Sequence, residues 1–421
     1  MIARLSLLLG LLATLSLEVL SKPIVVRDSP ITLPVAKRVN ATGIANVLKV
    51  DQARAKSLRT KGQRKNKGDL TPEKLASGAS TGIPSTSYAT EYVVNVTVGE
   101  PPVAYSLLVD TGSSNTWFGA KKLATQPPPS SVDTNQSLAI EYGSGVMLGE
   151  EWIDDLTMGS LTIKNQSLGV SLIAVGFDTV DGILGLGPMV LTYDTLFPNT
   201  TSYIPTVTDN AYYQGLIPEH KVGISFVPTT SMDGVNNGEI TFGGIDESKM
   251  TGKLTTVPIT STYPSSLYVG INQTITYGSQ NLPILDNVAG ITDTGTTLLL
   301  IATDAFEAYQ AATGAEVDPD IGLLRLTNEQ FKNLESLFFH IGEDTFEFTA
   351  NAQIWPRALN AAIGGTDDFV YLIVGDIGTP TGYGMDFIDG MSFLERFYSV
   401  YDTGNNEFAI ATTQHTYAQI G

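Results

Sequence analysis

A chain of 421 residues with 42% apolar side chains and 41 glycines has the length for two domains plus accessory segments, and a globular, turn-rich composition. It has no cysteine and only three histidines, which removes thiolate nucleophiles, disulfides and cysteine metal sites; no His-Glu-x-x-His pattern occurs, and the Gly-x-Ser-x-Gly match at Gly78 to Gly82 has no apolar run leading into it as a nucleophile elbow would. With a net charge of −19, carboxylates are what remains for acid–base chemistry.

Residues 1–21 carry Arg4 ahead of a leucine-rich run that ends at Val19-Leu20-Ser21. That is the pattern of a secretory signal. A membrane anchor is the other reading, but the apolar run is short for a span and no second one follows. Residues 22–78 hold 13 Lys and Arg against 4 acids, whereas residues 79–421 hold 10 against 38. The basic block from Lys49 to Lys67 reads either as a nucleic-acid arm or as a removable prosegment complementary to an acidic body. A secretory signal in front of it favours the prosegment. Sequons at Asn95, Asn135, Asn165, Asn199 and Asn272 fit a secreted chain, each weakly.

From about Thr86 the pattern is strand after strand. Tyr92 to Val98 alternates and stops at Gly99, and Pro101-Pro102 breaks the chain before the apolar run Leu107-Leu108-Val109. Residues 121–137 read as a Pro/Ser/Thr loop, and Tyr142-Gly143-Ser144-Gly145 as a hairpin tip. Trp152 to Ile163 reads as two short strands turning at Met158-Gly159-Ser160. In Asp181-Gly182-Ile183-Leu184-Gly185-Leu186-Gly187 the glycines suit close backbone approach, not a phosphate loop. Strands follow over Gly238–Gly244 and Leu254–Ile259, with a lobe boundary near 262. The second half adds strands to about Ile275, a helix from Thr303 capped by Thr303 or Asp304, and a helix over Thr327–Leu334. Strands then cover Phe338–Ile341, Thr345–Thr349 and Val370–Val374. His340 reads as a packed histidine.

One construction appears twice. Leu107-Leu108-Val109 delivers Asp110 into Thr111-Gly112-Ser113-Ser114-Asn115, followed by Trp117; Ile291-Thr292 delivers Asp293 into Thr294-Gly295-Thr296-Thr297. A single Asp-Thr-Gly is also ordinary turn chemistry. Two copies 183 positions apart look like two half-sites that face each other.

Assembled in order, these motifs resemble those of the pepsin-type aspartic proteases over about residues 86–412; without cysteine, and with Ile-Pro-Thr-Val-Thr-Asp-Asn at 204–210 and Ala-Gln-Ile-Trp-Pro-Arg at 352–357, the chain is particularly similar to the polyporopepsin-type branch of wood-rotting fungi. The resemblance implies a mainly β, bilobal fold of two pseudo-symmetric lobes (79–262 and 263–421) around a cleft. It implies Asp110 and Asp293 as a catalytic dyad that activates water, without metal or cofactor. Thr111, Ser113, Thr294 and Thr296 would orient the carboxylates, and Gly112 and Gly295 would supply backbone N–H groups. Tyr142, Gly143 and Ser144 would form a flap over the substrate, with Trp117 bonding the Tyr hydroxyl. The implied partner is a polypeptide added as an extended strand, with no nucleic acid and no membrane, by a secreted, monomeric enzyme made as a zymogen. While the carboxylates are ionised, a Lys or Arg of the basic segment could sit at the dyad and block it; related zymogens place a lysine there, for which Lys56, Lys61 and Lys65 are the candidates. A catalytically silent peptide-binding or inhibitor relative is the alternative, and would lose an aspartate or the flap tyrosine. The family's Ile/Leu-Gly-Asp before the Phe-Leu-Arg-like block is absent; Gly390 of Asp389-Gly390-Met391 aligns there, with Val374-Gly375-Asp376 as a decoy.

Overall fold

The computed structural model describes residues 28–41, 47–64, 88–121, 125–143, 145–231 and 234–420. The segments read as a leader and as the cleavage region near 75–80, together with Ser144 and Lys65, lie outside these residues.

In chain order the N-terminal part contains β1 (Ile31–Ala41), α1 (Val47–Arg64), β2 (Tyr88–Val98), β3 (Val103–Asp110), β4 (Trp117–Phe118) and β5 (Val132–Tyr142). It continues with β6 (Gly145–Met158), β7 (Leu161–Val175), β8 (Gly182–Gly185), β9 (Leu196–Phe197), α2 (Val207–Tyr213), β10 (Lys221–Ser225), β11 (Val235–Phe242) and β12 (Thr255–Pro258). The C-terminal part contains β13 (Gly270–Tyr277), β14 (Leu282–Asp293), β15 (Leu299–Ile301), α3 (Thr303–Thr313), β16 (Glu316–Val317), β17 (Leu324–Thr327) and α4 (Asn328–Phe331). It ends with β18 (Leu337–Ile341), β19 (Asp344–Phe348), β20 (Phe369–Tyr371), β21 (Val374–Asp376), β22 (Phe387–Gly390), α5 (Met391–Leu394), β23 (Phe397–Asp402) and β24 (Glu407–Thr412).

Fourteen strands form one sheet in the order β12-β24-β23-β10-β11-β1-β2-β3-β8-β4-β7-β6-β5-β9, and seven form a second, β19-β18-β13-β14-β22-β15-β21. The large sheet joins the two halves, because β10 of the first pairs with β23 of the second. Each aspartate sits at the C-terminal end of a strand buried on both sides, where parallel pairing is expected. The two pairings match: β3 runs parallel to β8 with Asp110 opposite Gly185, and β14 runs parallel to β22 with Asp293 opposite Gly390. This register selects Gly390 over Gly375. A Cβ at Gly185 would lie 2.4 Å from the Ser114 carbonyl carbon, and one at Gly390 would lie 2.1 Å from the Leu298 oxygen, so only glycine lets the aspartate loops fold back on these strands.

Several expectations are corrected. Residues 132–137 belong to β5, a long hairpin arm; Asn135 at a φ of 57° and a bulge between Asp133 and Gln136 give it the polar look of a loop. The two strands read across Trp152–Ile163 extend over Gly145–Met158 and Leu161–Val175. The helix from Thr303 has Ala302 as its N-cap and no side-chain cap, because Thr303 bonds Asp376 and Asp304 bonds the Thr381 loop. The second helix is one turn, closed by a Thr327–Gln330 capping box. Val370–Val374 divides between β20 and β21. His340 is half-buried, its ring nitrogens within 3.1 Å of Thr276 and 2.9 Å of Thr345.

The basic segment supplies two elements. β1 lies in the large sheet between β11 and β2, with Ile31, Leu33 and Val35 buried at alternate positions and Lys37 ion-paired to Glu395. In α1, Val47, Leu48, Asp51, Arg54, Ala55, Leu58 and Arg59 are buried, a stripe at helical spacing that faces the cleft. Asp51 accepts bonds from the Thr297 and Leu298 N–H groups, Gln52 donates to the Asp376 carbonyl, and Tyr268 donates to that of Leu58.

Candidate active site

Asp110 and Asp293 are both fully buried where the two halves meet. Their surroundings are near copies. The Gly112 N–H donates to Asp110 Oδ1 at 2.9 Å and the Ser113 hydroxyl to Oδ2 at 2.5 Å. The Gly295 N–H donates to Asp293 Oδ1 at 3.0 Å and the Thr296 hydroxyl to Oδ2 at 2.6 Å. Each carboxylate is thereby fixed in rotation and given two donors that favour its charged form.

Thr111 and Thr294 do something else. Neither was found on a carboxylate, where the sequence reading put them; they cross-link the two loops. The Thr111 N–H donates to Thr294 Oγ1 at 3.0 Å, and the Thr294 N–H donates to Thr111 Oγ1 at 3.1 Å. The Thr294 hydroxyl in turn donates a hydrogen bond to the Val109 carbonyl. In a buried setting an unpaired N–H costs about 1–3 kcal/mol, so this reciprocal pair holds the aspartates in register.

A cation lies between the carboxylates, and it is not one of the three lysines. Arg54 of α1 donates from Nη2 to Asp110 Oδ1 at 2.6 Å, and from Nε and Nη2 to Asp293 at 2.7 and 2.9 Å. Lys56, two residues on, points to solvent, and Lys61 is half-buried farther along the helix. The planar guanidinium suits the task, because its fork of donors spans two carboxylates where an ammonium is a single point. Geometry sets the electrostatics. Burial pushes Asp110 up, with Asp293 adding and Arg54 only partly offsetting, so it stays above the ordinary carboxylate range. Burial also pushes Asp293 up, but the charge and two hydrogen bonds of Arg54, with Thr296 and Gly295, outweigh it and hold Asp293 low. Arg54 itself is raised by the two aspartates against its own burial.

Tyr142 ends β5 at the tip of the β5–β6 hairpin, paired with Gly145. The Trp117 indole N–H donates to its hydroxyl at 2.8 Å, and Phe177 packs edge-on to both rings. Burial, with the Asp110 charge behind it, raises the Tyr142 phenol. Gly143 lets the tip close on α1: a Cβ there would lie 2.0 Å from the Arg54 Cα. Among the described residues no cluster of His, Asp and Glu is arranged to hold a metal ion. The residue that sequence reasoning missed is Arg54. Its signal was the helical spacing Val47, Asp51, Arg54, Leu58, hidden by charges on the buried face.

A family model described as eukaryotic aspartyl protease matches residues 91–413. Polyporopepsin of Irpex lacteus is 58% identical over 340 residues, covering 81% of this chain and 99% of that protein. Gastricsins of Cavia porcellus and Homo sapiens are each 30% identical over 340 residues, covering 76% of this chain and 80% and 81% of theirs. The crystal structure of aspartic proteinase from Irpex lacteus matches with a TM-score of 0.76 at 58% identity, covering 79% of this chain and 96% of that one.

Proposed function

The chain belongs to the eukaryotic aspartyl protease family and is an aspartic endopeptidase of bilobal pepsin-like fold, and from that premise we propose that it is made as a secreted zymogen. Residues 1–21 are the leader, 22–78 the prosegment, and 79–262 and 263–421 the two lobes of a monomeric mature enzyme. The observation that carries this reading is Arg54, which belongs to the basic segment and occupies the space between Asp110 and Asp293 that a substrate carbonyl and a water must enter. Secretion is supported by the leader-like sequence and by the exposure of Asn95, Asn135, Asn165, Asn199 and Asn272. No described helix is long and apolar enough to cross a membrane.

Once Arg54 leaves, two buried carboxylates a few ångströms apart share one proton, and the pair titrates as a unit. The ionised member takes a proton from the bound water as its oxygen attacks the peptide carbonyl. The protonated member gives its proton to the carbonyl oxygen, forming a gem-diol with no covalent enzyme intermediate. Protonation of the leaving nitrogen and collapse of the gem-diol then break the C–N bond. The peptide lies as an extended strand in the cleft, under Tyr142 and Gly143, and apolar side chains flanking the cleaved bond are preferred by resemblance.

The latch opens with acid. Arg54 holds Asp293 low, so this contribution to the closed form is present above the ordinary carboxylate range and is lost as pH falls through the depressed value. The test starts from residues 22–421 purified at neutral pH and shifted to about pH 3–4, where dyad chemistry runs. Latency before the shift, a new N-terminus near residue 79 after it, and pepstatin-sensitive cleavage of denatured protein are expected. Arg54→Gln should cleave a peptide at pH 6 with its prosegment still attached. Full activity of the unprocessed wild type at neutral pH would refute the latch. No cleavage at any pH would favour the silent peptide-binding alternative.

A further inference from the structure

Beneath the second aspartate lies a buried carboxyl that the reaction does not use. Asp389 is fully buried in β22, beside Thr292 of β14 and Leu299 of β15, one position before the glycine opposite Asp293. Its Oδ1 accepts from Gln273 Nε2 at 3.1 Å. Two atoms of the same pair are left over: Asp389 Oδ2 and Gln273 Oε1 are both buried without a partner. Two adjacent acceptors cannot satisfy each other. A single proton on Oδ2 turns that oxygen into a donor and completes both.

We propose that Asp389 is kept as a neutral acid whose Oδ2–H donates to Gln273 Oε1, closing a two-bond acid–amide pair that seats β22 under Asp293, and that loss of this proton to solvent loosens the second half-site as pH rises. The surroundings favour it. The titratable groups on the packed strands are Asp286 and Asp293 on β14 and Tyr277 on β13, with none on β15 or α5, so no cation faces Asp389. Asp51 of α1 accepts from the Thr297 and Leu298 N–H groups, two and one positions before β15, and is itself acidic. Burial pushes Asp389 up to about 8, outweighing the opposing Gln273 hydrogen bond. A raised carboxyl pKa contributes stability that is complete below the unfolded value and is lost as pH climbs to the folded one. Here that window runs from about 3.9 to about 8. Asp389 therefore acts as a positioning residue, through the strand that backs Asp293.

The experiment uses the full chain carrying Asp110→Asn, so that self-digestion cannot intervene and the outcome does not depend on catalysis. Melting temperature is followed from pH 4 to pH 9 with and without Asp389→Asn, whose amide makes the same two bonds at every pH. The expected result is a gap in favour of Asp389→Asn that opens steadily with pH, reaches several degrees by pH 8, and then stops growing. The infrared difference between the two chains at pH 6 should contain a protonated-carboxyl carbonyl band that disappears above about pH 8. If Asp389→Asn does not fold, Gln273→Val with Asp389→Leu replaces it, as an apolar pair with no proton to lose. In the active, processed enzyme the alkaline limb of kcat/KM should move up with Asp389→Asn, and Asp389→Leu alone should not reproduce that rescue. Parallel melting curves, or a band that is absent at pH 6, would overturn the proposal.

Discussion

The two half-sites share a plan and differ in what lies underneath. In each, an aspartate ends a strand, a glycine sits opposite on a parallel neighbour, and a hydroxyl three residues on holds the outer oxygen. Five residues before the aspartates are Tyr105 and Val288, whose partners are Val96 and Gln273. One position before the paired glycines are Leu184 and Asp389. The first half-site therefore rests on a Val96–Leu184 layer that is buried and apolar, and the second on a Gln273–Asp389 layer that is buried and polar. The flap belongs to the first half alone; β1 pairs with strands of the first half, whereas most polar contacts of α1, through Asp51, Gln52 and two of the three Arg54 bonds, go to the second. The two halves share the backbone plan and the carboxylates. The layer beneath differs, and in the second half it carries an acid facing an amide.

The comparison is broken most severely at the carboxylates. In the proposed mechanism, Asp110→Asn and Asp293→Asn each remove one member of a shared-proton pair. Each should lower acid proteolysis by about 10³-fold or more, in the range that general acid–base groups contribute. Circular dichroism should find both variants folded. Retention of activity within about tenfold by either variant would show that the two halves are not partners in one reaction.

The layer beneath offers a sharper test, because one half can be given the other's chemistry. Leu184→Asp puts an ionisable group into an apolar site with no amide opposite. Burying such a group unpaired should cost about 3 kcal/mol or more, read by denaturant unfolding at pH 7. Adding Val96→Gln rebuilds the acid–amide pair of the second half. Part of the loss should then return at pH 5 and much less at pH 8, because the neutral acid is needed to close both bonds. Equal recovery at both pH values would mean that the polar layer gains nothing from its proton.

How much of this was legible depends on how far apart the cooperating residues lie in sequence. The carboxylates, their glycines and hydroxyls, and the Trp117–Tyr142 pair fall within short motifs, and these motifs led to the site. The mainly β two-lobed plan followed from the doubled motif and the strand-by-strand pattern. Arg54 was harder. The charge split pointed to the right segment, but choosing among its cations needs the phase of a helix whose buried face carries Asp51, Arg54 and Arg59. An apolar-stripe reading passes over such a face, and the precedent of a lysine pointed past it. Thr111 and Thr294 were named for the right loop and the wrong bond, because sequence does not say that each reaches across 183 positions to the other. The Gln273–Asp389 pair spans 116 positions and belongs to no motif. Asp389 was noticed as a departure from the family pattern, but its partner was invisible.

The smallest expected effect concerns the feature that only the first half has. Trp117 Nε1 donates to the Tyr142 hydroxyl, and with Phe177 the two rings form a packed trio at the base of the flap. Trp117→Phe keeps an aromatic in the trio and removes the donor, leaving the phenol to find another partner. One neutral hydrogen bond is worth about 1 kcal/mol net, which corresponds to roughly a fivefold change. If the bond sets where the flap closes over the peptide, the loss should fall on kcat/KM for extended peptides spanning the cleft, with short substrates affected less. Flap position is a property of the bound complex, whereas the dyad pair is intact in the free enzyme. The pH profile should therefore keep its shape as its height drops. A change in the apparent pKa values without a change in height would reverse the assignment, placing the Trp117–Tyr142 bond in the electrostatics of Asp110, whose charge already raises the Tyr142 phenol.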